Sequence, residues 1–191
     1  MISDSYSWKR DLLRRKSLLE KYSASVLTDE EDNYAYMVLE KAVFYSAFII
    51  RKLIECKTKV SDRVDNHSIR VKQYSTTGMN IHLLRKINAD SHDWTNGKAI
   101  TVNGRRICNS LIHSYLFAFG YGESGKVEGF FVSGDRDRNK WVYYVNLADW
   151  IRYIDIVGHD SIVEMSLHFN EKEKDYVAIT KKNSIPSKKQ V

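Results

Sequence analysis

The run YAYMVLEKAVFYSAFIIRKLI, residues 34–54, carries apolar side chains around most of the circumference of a helix. A helix of that kind needs neighbours on several sides, so the run predicts a central helix inside a substantial core. Glu40, Lys41, Arg51 and Lys52 interrupt it. Glu40 and Arg51 are separated by about three turns and share one side of that helix. Just ahead, Thr28-Asp29-Glu30-Glu31 has the pattern of a capping box, in which a Thr hydroxyl and a Glu three positions later satisfy the free N–H groups of a helix start.

A chain of 191 residues, 43% apolar with a single proline at Pro186, is large enough to bury one such core and is expected to form one domain. Residues 7–23 place Trp8, Leu12, Leu19 and Tyr22 along one stripe, which predicts an amphipathic helix with Lys9, Arg10, Arg14 and Lys16 largely elsewhere. Residues 58–80 are polar, with a strand candidate at 68–74 and a turn at Thr77-Gly78. Helical texture returns from 80 to 88, and a further helix is expected over 105–119 with Asn103 as its cap.

Beyond Gly120 the texture changes. VEGFFVS and KWVYYVN flank GDRDRN as a first hairpin, LADWIRYIDIVG has helical spacing, and SIVEMSLHF and KDYVAITK flank NEKE as a second hairpin. Helices come first and hairpins later, an α+β pattern. The expected organisation is a mainly helical part over 1–119, hairpins with one helix over 120–182, and a loose basic tail over 183–191.

The formal charge of +6 permits attraction to a polyanion. Two cysteines, Cys56 and Cys108, without a CxxC spacing suit a reducing compartment, and cytoplasm is the expected location. No apolar stretch precedes a cleavage site at the N-terminus, and no segment has the roughly 20 uncharged apolar residues of a membrane span, so neither secretion nor a membrane partner is expected.

The chemistry-bearing stretch is RRICNSLIHSYLF, residues 105–117. On a helix Arg106, Asn109 and His113 fall within about 60° of one another and share a stripe. RNA carries its own nucleophile in the 2′-hydroxyl, so its cleavage needs a group that exchanges protons near neutrality, and histidine suits that need. A guanidinium stabilises the phosphate in transit, and an amide orients either partner. Such chemistry calls for no metal and no cofactor. The same spacing occurs at Arg85-Asn88-His92 and Arg152-Asp155-His159, but the first runs into a polar, helix-breaking stretch and the third ends just past Gly158. The bland alternative gives His113 a structural hydrogen bond to a neighbouring helix.

Other motifs point less far. Asp90, His92 and Asp93 lie too close together for a full metal shell, and the Arg residues within Ser133–Asn139 offset the carboxylates of a loop otherwise like a calcium site. Arg136 and Arg138 beside Trp141, Tyr143 and Tyr144 could face RNA, or those aromatics could pack in a core. Neither GxxxxGK[ST] nor GxGxxG occurs, which disfavours nucleotide hydrolysis and dinucleotide chemistry. Cys108 and His113 would point about 140° apart on a helix, a poor nucleophile–base pair.

CNSLIHSYLF, preceded by Arg106 and by the long helix bearing Arg51, resembles the active-site helix of the HEPN superfamily, over residues 28–119. The resemblance implies a compact helical bundle, here with two appended β-hairpins, and a metal-independent endoribonuclease acting as a homodimer. Such proteins serve in toxin–antitoxin and antiviral systems. It also implies that His113 is the family histidine and Asn109 the polar residue that follows the family arginine. Cys108 stands where that arginine would be, so the guanidinium would come from Arg106, Arg105 or Arg51. Arg105, Arg136 and Arg138 are the further RNA-binding candidates. The competing expectation is a non-catalytic HEPN-like module that binds nucleic acid or a protein partner, such as an antitoxin.

Overall fold

The computed structural model describes residues 2–25, 30–78 and 87–183. Thr28 and Asp29 of the expected capping box, most of the helix expected over 80–88, and the tail beyond 183 lie outside the described residues. The elements run α1 (Ser5–Ser23), α2 (Glu30–Glu55), a single turn α3 (Asp62–Asp65), β1 (Ser68–Ser75), β2 (Lys98–Asn103), α4 (Gly104–Ile112), β3 (Ser114–Tyr121), β4 (Val127–Gly134), β5 (Trp141–Asn146), α5 (Leu147–Gly158), β6 (Ile162–Asn170) and β7 (Asp175–Asn183). Five strands form one antiparallel sheet in the order β2-β1-β5-β4-β3, and β6 pairs with β7 in a separate ribbon.

The helices cover one side of the five-stranded sheet. From α2, Tyr36 meets Phe119 and Phe44 meets Phe117, both on β3, while Trp150 of α5 meets Phe130 of β4 edge-on. The central helix meets the expectation in part: Leu39, Ala42, Val43, Ala47, Ile50 and Leu53 are wholly buried, whereas Tyr34, Met37, Tyr45 and Phe48 lie exposed along the remaining stripe. Alanine and serine at 42, 46 and 47 leave room for the large side chains around them. Trp150 uses that room, its Nε1 donating to Ser46 Oγ at 3.1 Å, while the same hydroxyl donates to the Val43 carbonyl at 2.7 Å. A buried indole N–H left without such an acceptor would cost about 1–3 kcal/mol.

The stripe predicted for the first helix is the one it buries: Leu12 and Leu19 are fully enclosed, and Trp8 and Tyr22 pack beside them. Lys9 departs from that pattern. Its stem is buried and its ammonium donates to the carbonyls of Lys59 at 2.9 Å and Asp160 at 2.7 Å. Asp160 in turn accepts from the Ser61 N–H at 2.7 Å and the Ser61 hydroxyl at 2.6 Å. Three distant segments are thereby tied at the end of α5 by groups that burial alone would disfavour.

The helical bundle with appended hairpins is not the architecture. The hairpin β4–β5 is central to the sheet, flanked by β1 on one side and β3 on the other. The helix expected over 105–119 ends at Ile112, and the second half of that stretch is strand β3. YLFAFGY satisfies either period: residues 112, 116 and 119 have helical spacing, and Tyr115, Phe117, Phe119 and Tyr121 alternate as a strand. Pairing with β4 decides between them, sending Phe117 and Phe119 toward α2. Ile112, the last residue of the shortened helix, is 38% exposed. Strand β2 carries no alternation strong enough to be expected from sequence, and β1 supplies its register. Among the described residues no helix is long and apolar enough to cross a membrane.

Two histidines make the fold sensitive to acid. His67 stacks on Tyr153 with ring centroids 5.0 Å apart, and burial, then the charges of Arg63 and Arg152, pull its pKa below the usual value of 6.5. Burial does the same to His92. Both groups are neutral in the folded state where the unfolded chain would accept a proton, so their stabilisation is complete above pH 6.5 and is lost as pH falls below it. Thermal melts between pH 7.5 and 5.5 are expected to show a falling Tm, and His67→Phe, which keeps a ring on Tyr153, is expected to flatten that slope.

Candidate functional site

Helix α4 is set in place at both ends. Asn103 Oδ1 accepts from the Arg105 N–H at 2.9 Å, capping the first turn, and its amide donates to the Asp65 carbonyl at 2.9 Å. Glycine is needed at 104, since a Cβ there would fall 2.7 Å from the Tyr153 hydroxyl. Ile107, Cys108 and Leu111 are fully buried, which fixes the rotation of the helix and turns Arg106, Asn109 and His113 away from the core. The helix stops at His113, whose φ of −108° and ψ of 37° break the helical path. The carbonyl of His113 accepts from the Asp135 N–H at 3.0 Å, so the turn between β4 and β5 is pinned to the helix end.

These elements enclose an open cleft of about 480 Å³, lined by Arg51, Arg106, Asn109, Ser110, His113 and the turn from Gly134 to Asp137. All four residues expected to carry the chemistry, His113, Arg106, Asn109 and Arg51, therefore come together, although Arg51 is 58 positions from Asn109. Arg51 Nε donates to Asn109 Oδ1 at 2.7 Å. Its Nη1 lies 2.8 Å from Glu55 Oε1, yet off the direction of a hydrogen bond. The Lys52 ammonium holds the Glu55 carboxyl below its usual range, with Arg51 and Arg105 adding to the effect. Across the cleft, Arg106 Nη2 is 3.2 Å from Asp137 Oδ2 and its guanidinium sits 6.0 Å from the Trp141 ring centre.

His113 is exposed, and its ring opens to the cleft and to solvent. Of the further RNA-binding candidates, Arg136 lines the cleft, whereas Arg105 and Arg138 do not. Arg105 lies on the outer side of the first turn of α4, and Arg138 pairs with Asp135 at 3.1 Å while lying over the Tyr115 ring at 5.0 Å. Sequence spacing missed Ser110, Asp135 and Asp137. Only the docking of GDRDRN on α4 brings the two carboxylates in, and no local signal reports that contact.

The remaining motifs have structural roles. Burial pushes the Cys108 thiol far up, so it is no nucleophile. His92 is enclosed with Nδ1 2.9 Å from Ser91 Oγ, and the Asp93 carboxylate accepts from Thr95 and Asn96 within a turn. His159 packs back on Asp155 at the end of α5, where Lys16 also reaches Asp155 at 2.6 Å. Arg85 of the other repeated spacing lies outside the described residues. Tyr143 is buried, while Trp141 and Tyr144 are half-buried. Among the described residues no group of three metal-ligating side chains converges.

Comparison with protein-family models, with curated proteins and with solved structures found no match.

The bond from Arg51 to Asn109 is charge-assisted and largely shielded, the Arg51 side chain being 19% exposed. Arg51→Met is expected to destabilise the protein by about 1–3 kcal/mol in urea unfolding, since it leaves Asn109 Oδ1 without its donor. Arg51→Lys is expected to recover only part of that, because an ammonium cannot present the guanidinium's donor geometry.

Proposed function

We propose that the chain is a metal-independent endoribonuclease whose reaction takes place in the cleft between α2, α4 and the β4–β5 turn. The observation that carries this proposal is the convergence of one open imidazole, His113, with Arg51, Arg106 and Asn109 around a single space. In the proposed reaction the RNA 2′-oxygen attacks the adjacent phosphorus and the bond to the 5′-oxygen breaks. The products are a 2′,3′-cyclic phosphate and a 5′-hydroxyl. His113 takes the 2′ proton or delivers one to the departing 5′-oxygen. Arg106, with Arg136 beside it, faces the phosphate oxygens as negative charge accumulates. Asn109 has its Oδ1 engaged by Arg51, which leaves its amide hydrogens to orient the phosphate.

One imidazole performs one of the two proton transfers. A homodimer facing cleft to cleft would provide the second. A non-catalytic module that binds nucleic acid or a protein partner such as an antitoxin is the alternative, and the pairing of Arg106 with Asp137 favours it, because that guanidinium is already neutralised. The two separate on labelled RNA incubated in EDTA. The ribonuclease gives cyclic-phosphate ends, with a rate about 10²–10⁴-fold lower for folded His113→Ala. Wild-type protein that binds RNA and leaves it intact identifies the module, and undiminished cleavage by His113→Ala removes His113 from the mechanism.

A further inference from the structure

The side of the five-stranded sheet away from the helices carries a second surface. Strand register sets Lys72 opposite Tyr144, Tyr144 opposite Phe131, and Phe131 opposite Ala118. Arg70 and Tyr74 flank Lys72 on β1 with the same orientation. Along the paired positions of this side, from Arg70 on β1 to Gly120 on β3, there is no Asp or Glu. Glu128 borders Tyr144 at the margin of the sheet.

The aromatic rings form a connected group. Phe131 lies 4.9 Å from Tyr144 and 6.3 Å from Tyr74, and Trp94 closes one end at 5.5 Å from Phe131. Tyr144 is laid down on the sheet: a Cβ at Gly129 would fall 2.6 Å from its Cζ, and one at Gly120 would fall 2.8 Å from its Cε2. Two strand glycines, each unfavourable to a strand, thus make room for one phenol ring on the surface. Tyr74, Phe131 and Tyr144 are all half-buried, and Arg70 and Lys72 are exposed.

We propose that this open sheet face binds single-stranded nucleic acid, with unpaired bases stacked on Tyr144 and Phe131 and phosphates met by Arg70 and Lys72. Flat rings held by backbone, beside cations and without carboxylates in the row, suit bases joined by phosphates, since every base has a face to stack and the strand between is anionic. The chain's charge of +6 has the sign that attracts it. Phe131 and Gly134 are three residues apart on β4, about 10 Å, so a strand lying along β4 reaches the cleft. The binding itself stands without the cleft chemistry.

A fluorescent 12-nucleotide 2′-O-methyl oligoribonucleotide, which lacks the nucleophile for cleavage, measures the affinity of wild-type protein by anisotropy. Tyr144→Leu and Phe131→Leu are each expected to weaken binding about 5- to 100-fold, and Tyr144→Phe to keep it. Lys72→Gln is expected to reduce the slope of log affinity against log salt by about 0.7. Circular dichroism and melting check that each variant is folded. Photocrosslinking of a 5-iodouridine oligonucleotide to wild-type protein, mapped by mass spectrometry, needs no variant and is expected to mark Tyr144, Phe131 or Trp94. Absence of binding at low salt, equal affinity for the duplex, crosslinks confined to other residues, or unchanged affinity in the folded leucine variants would each overturn the proposal. RNA cleavage in EDTA alongside any of these leaves the cleft chemistry standing alone, and stacking-dependent binding without cleavage leaves the face alone.

Discussion

Burial of one broad face of α2 is the constraint from which the rest of the molecule follows. With Leu39, Ala42, Val43, Ala47, Ile50 and Leu53 excluded from water, that face must be covered by α1, α4 and α5 as well as by the sheet. Each fully buried aliphatic side chain contributes about 1.5–3 kcal/mol, so rotating the helix to free any one of them is costly. Arg51 sits between Ile50 and Leu53, both wholly enclosed. Its position at the cleft is therefore set by hydrophobic packing, and the guanidinium is delivered to Asn109 by a helix that has no freedom to turn. The same packing explains Cys108. That position faces the interior of α4 and is fully buried, a place where an arginine would be stranded without solvent. A small thiol fits there, and the second helix supplies the cation from across the contact.

The cleft holds its cations through internal carboxylates. Asp137 pairs with Arg106, and Glu55 lies beside Arg51. The two pairs differ in exposure. Arg106 is 51% exposed, whereas its partner Asp137 is 14% exposed, so the pair is shielded on the carboxylate's side and open on the guanidinium's. Arg51 is shielded and also bonded to Asn109, so it acts as a fixed strut. One cation faces solvent and the other is enclosed, a division imposed by burial.

Much of this was legible in the sequence because it depends on local periodicity. The stripes of α1 and α2, the spacing of α5 and both hairpins follow from apolar side chains recurring at the intervals their elements require. The site was legible for the same reason: Arg106, Asn109 and His113 share a helical stripe even though the helix ends at the last of them. What was illegible depends on contacts between distant segments. YLFAFGY fits helix and strand alike until β4 pairs with it, and β2 has too little alternation to declare itself before β1 supplies a register. The placement of β1 next to β5 joins strands some seventy positions apart, and that pairing is what turns two apparent hairpins and a set of helices into a layered α+β domain. Asp135 and Asp137 enter the cleft only because the turn carrying them is pinned to the end of α4.

Strand β4 connects the two surfaces, and alternation explains how. Phe130 and Val132 are wholly buried, Phe130 beneath Trp150, so the residue between them has to point the other way. Phe131 is thereby fixed on the open side beside Tyr144. Continuing along the same strand, Gly134 comes close to α4: a Cβ there would lie 3.3 Å from the Ser110 Cα. Glycine at 134 thus lets the start of the turn carrying Asp135, Arg136 and Asp137 lie close against the helix. The core thus fixes both the outward ring and the turn through one strand, and neither surface can shift without disturbing residues that are fully enclosed.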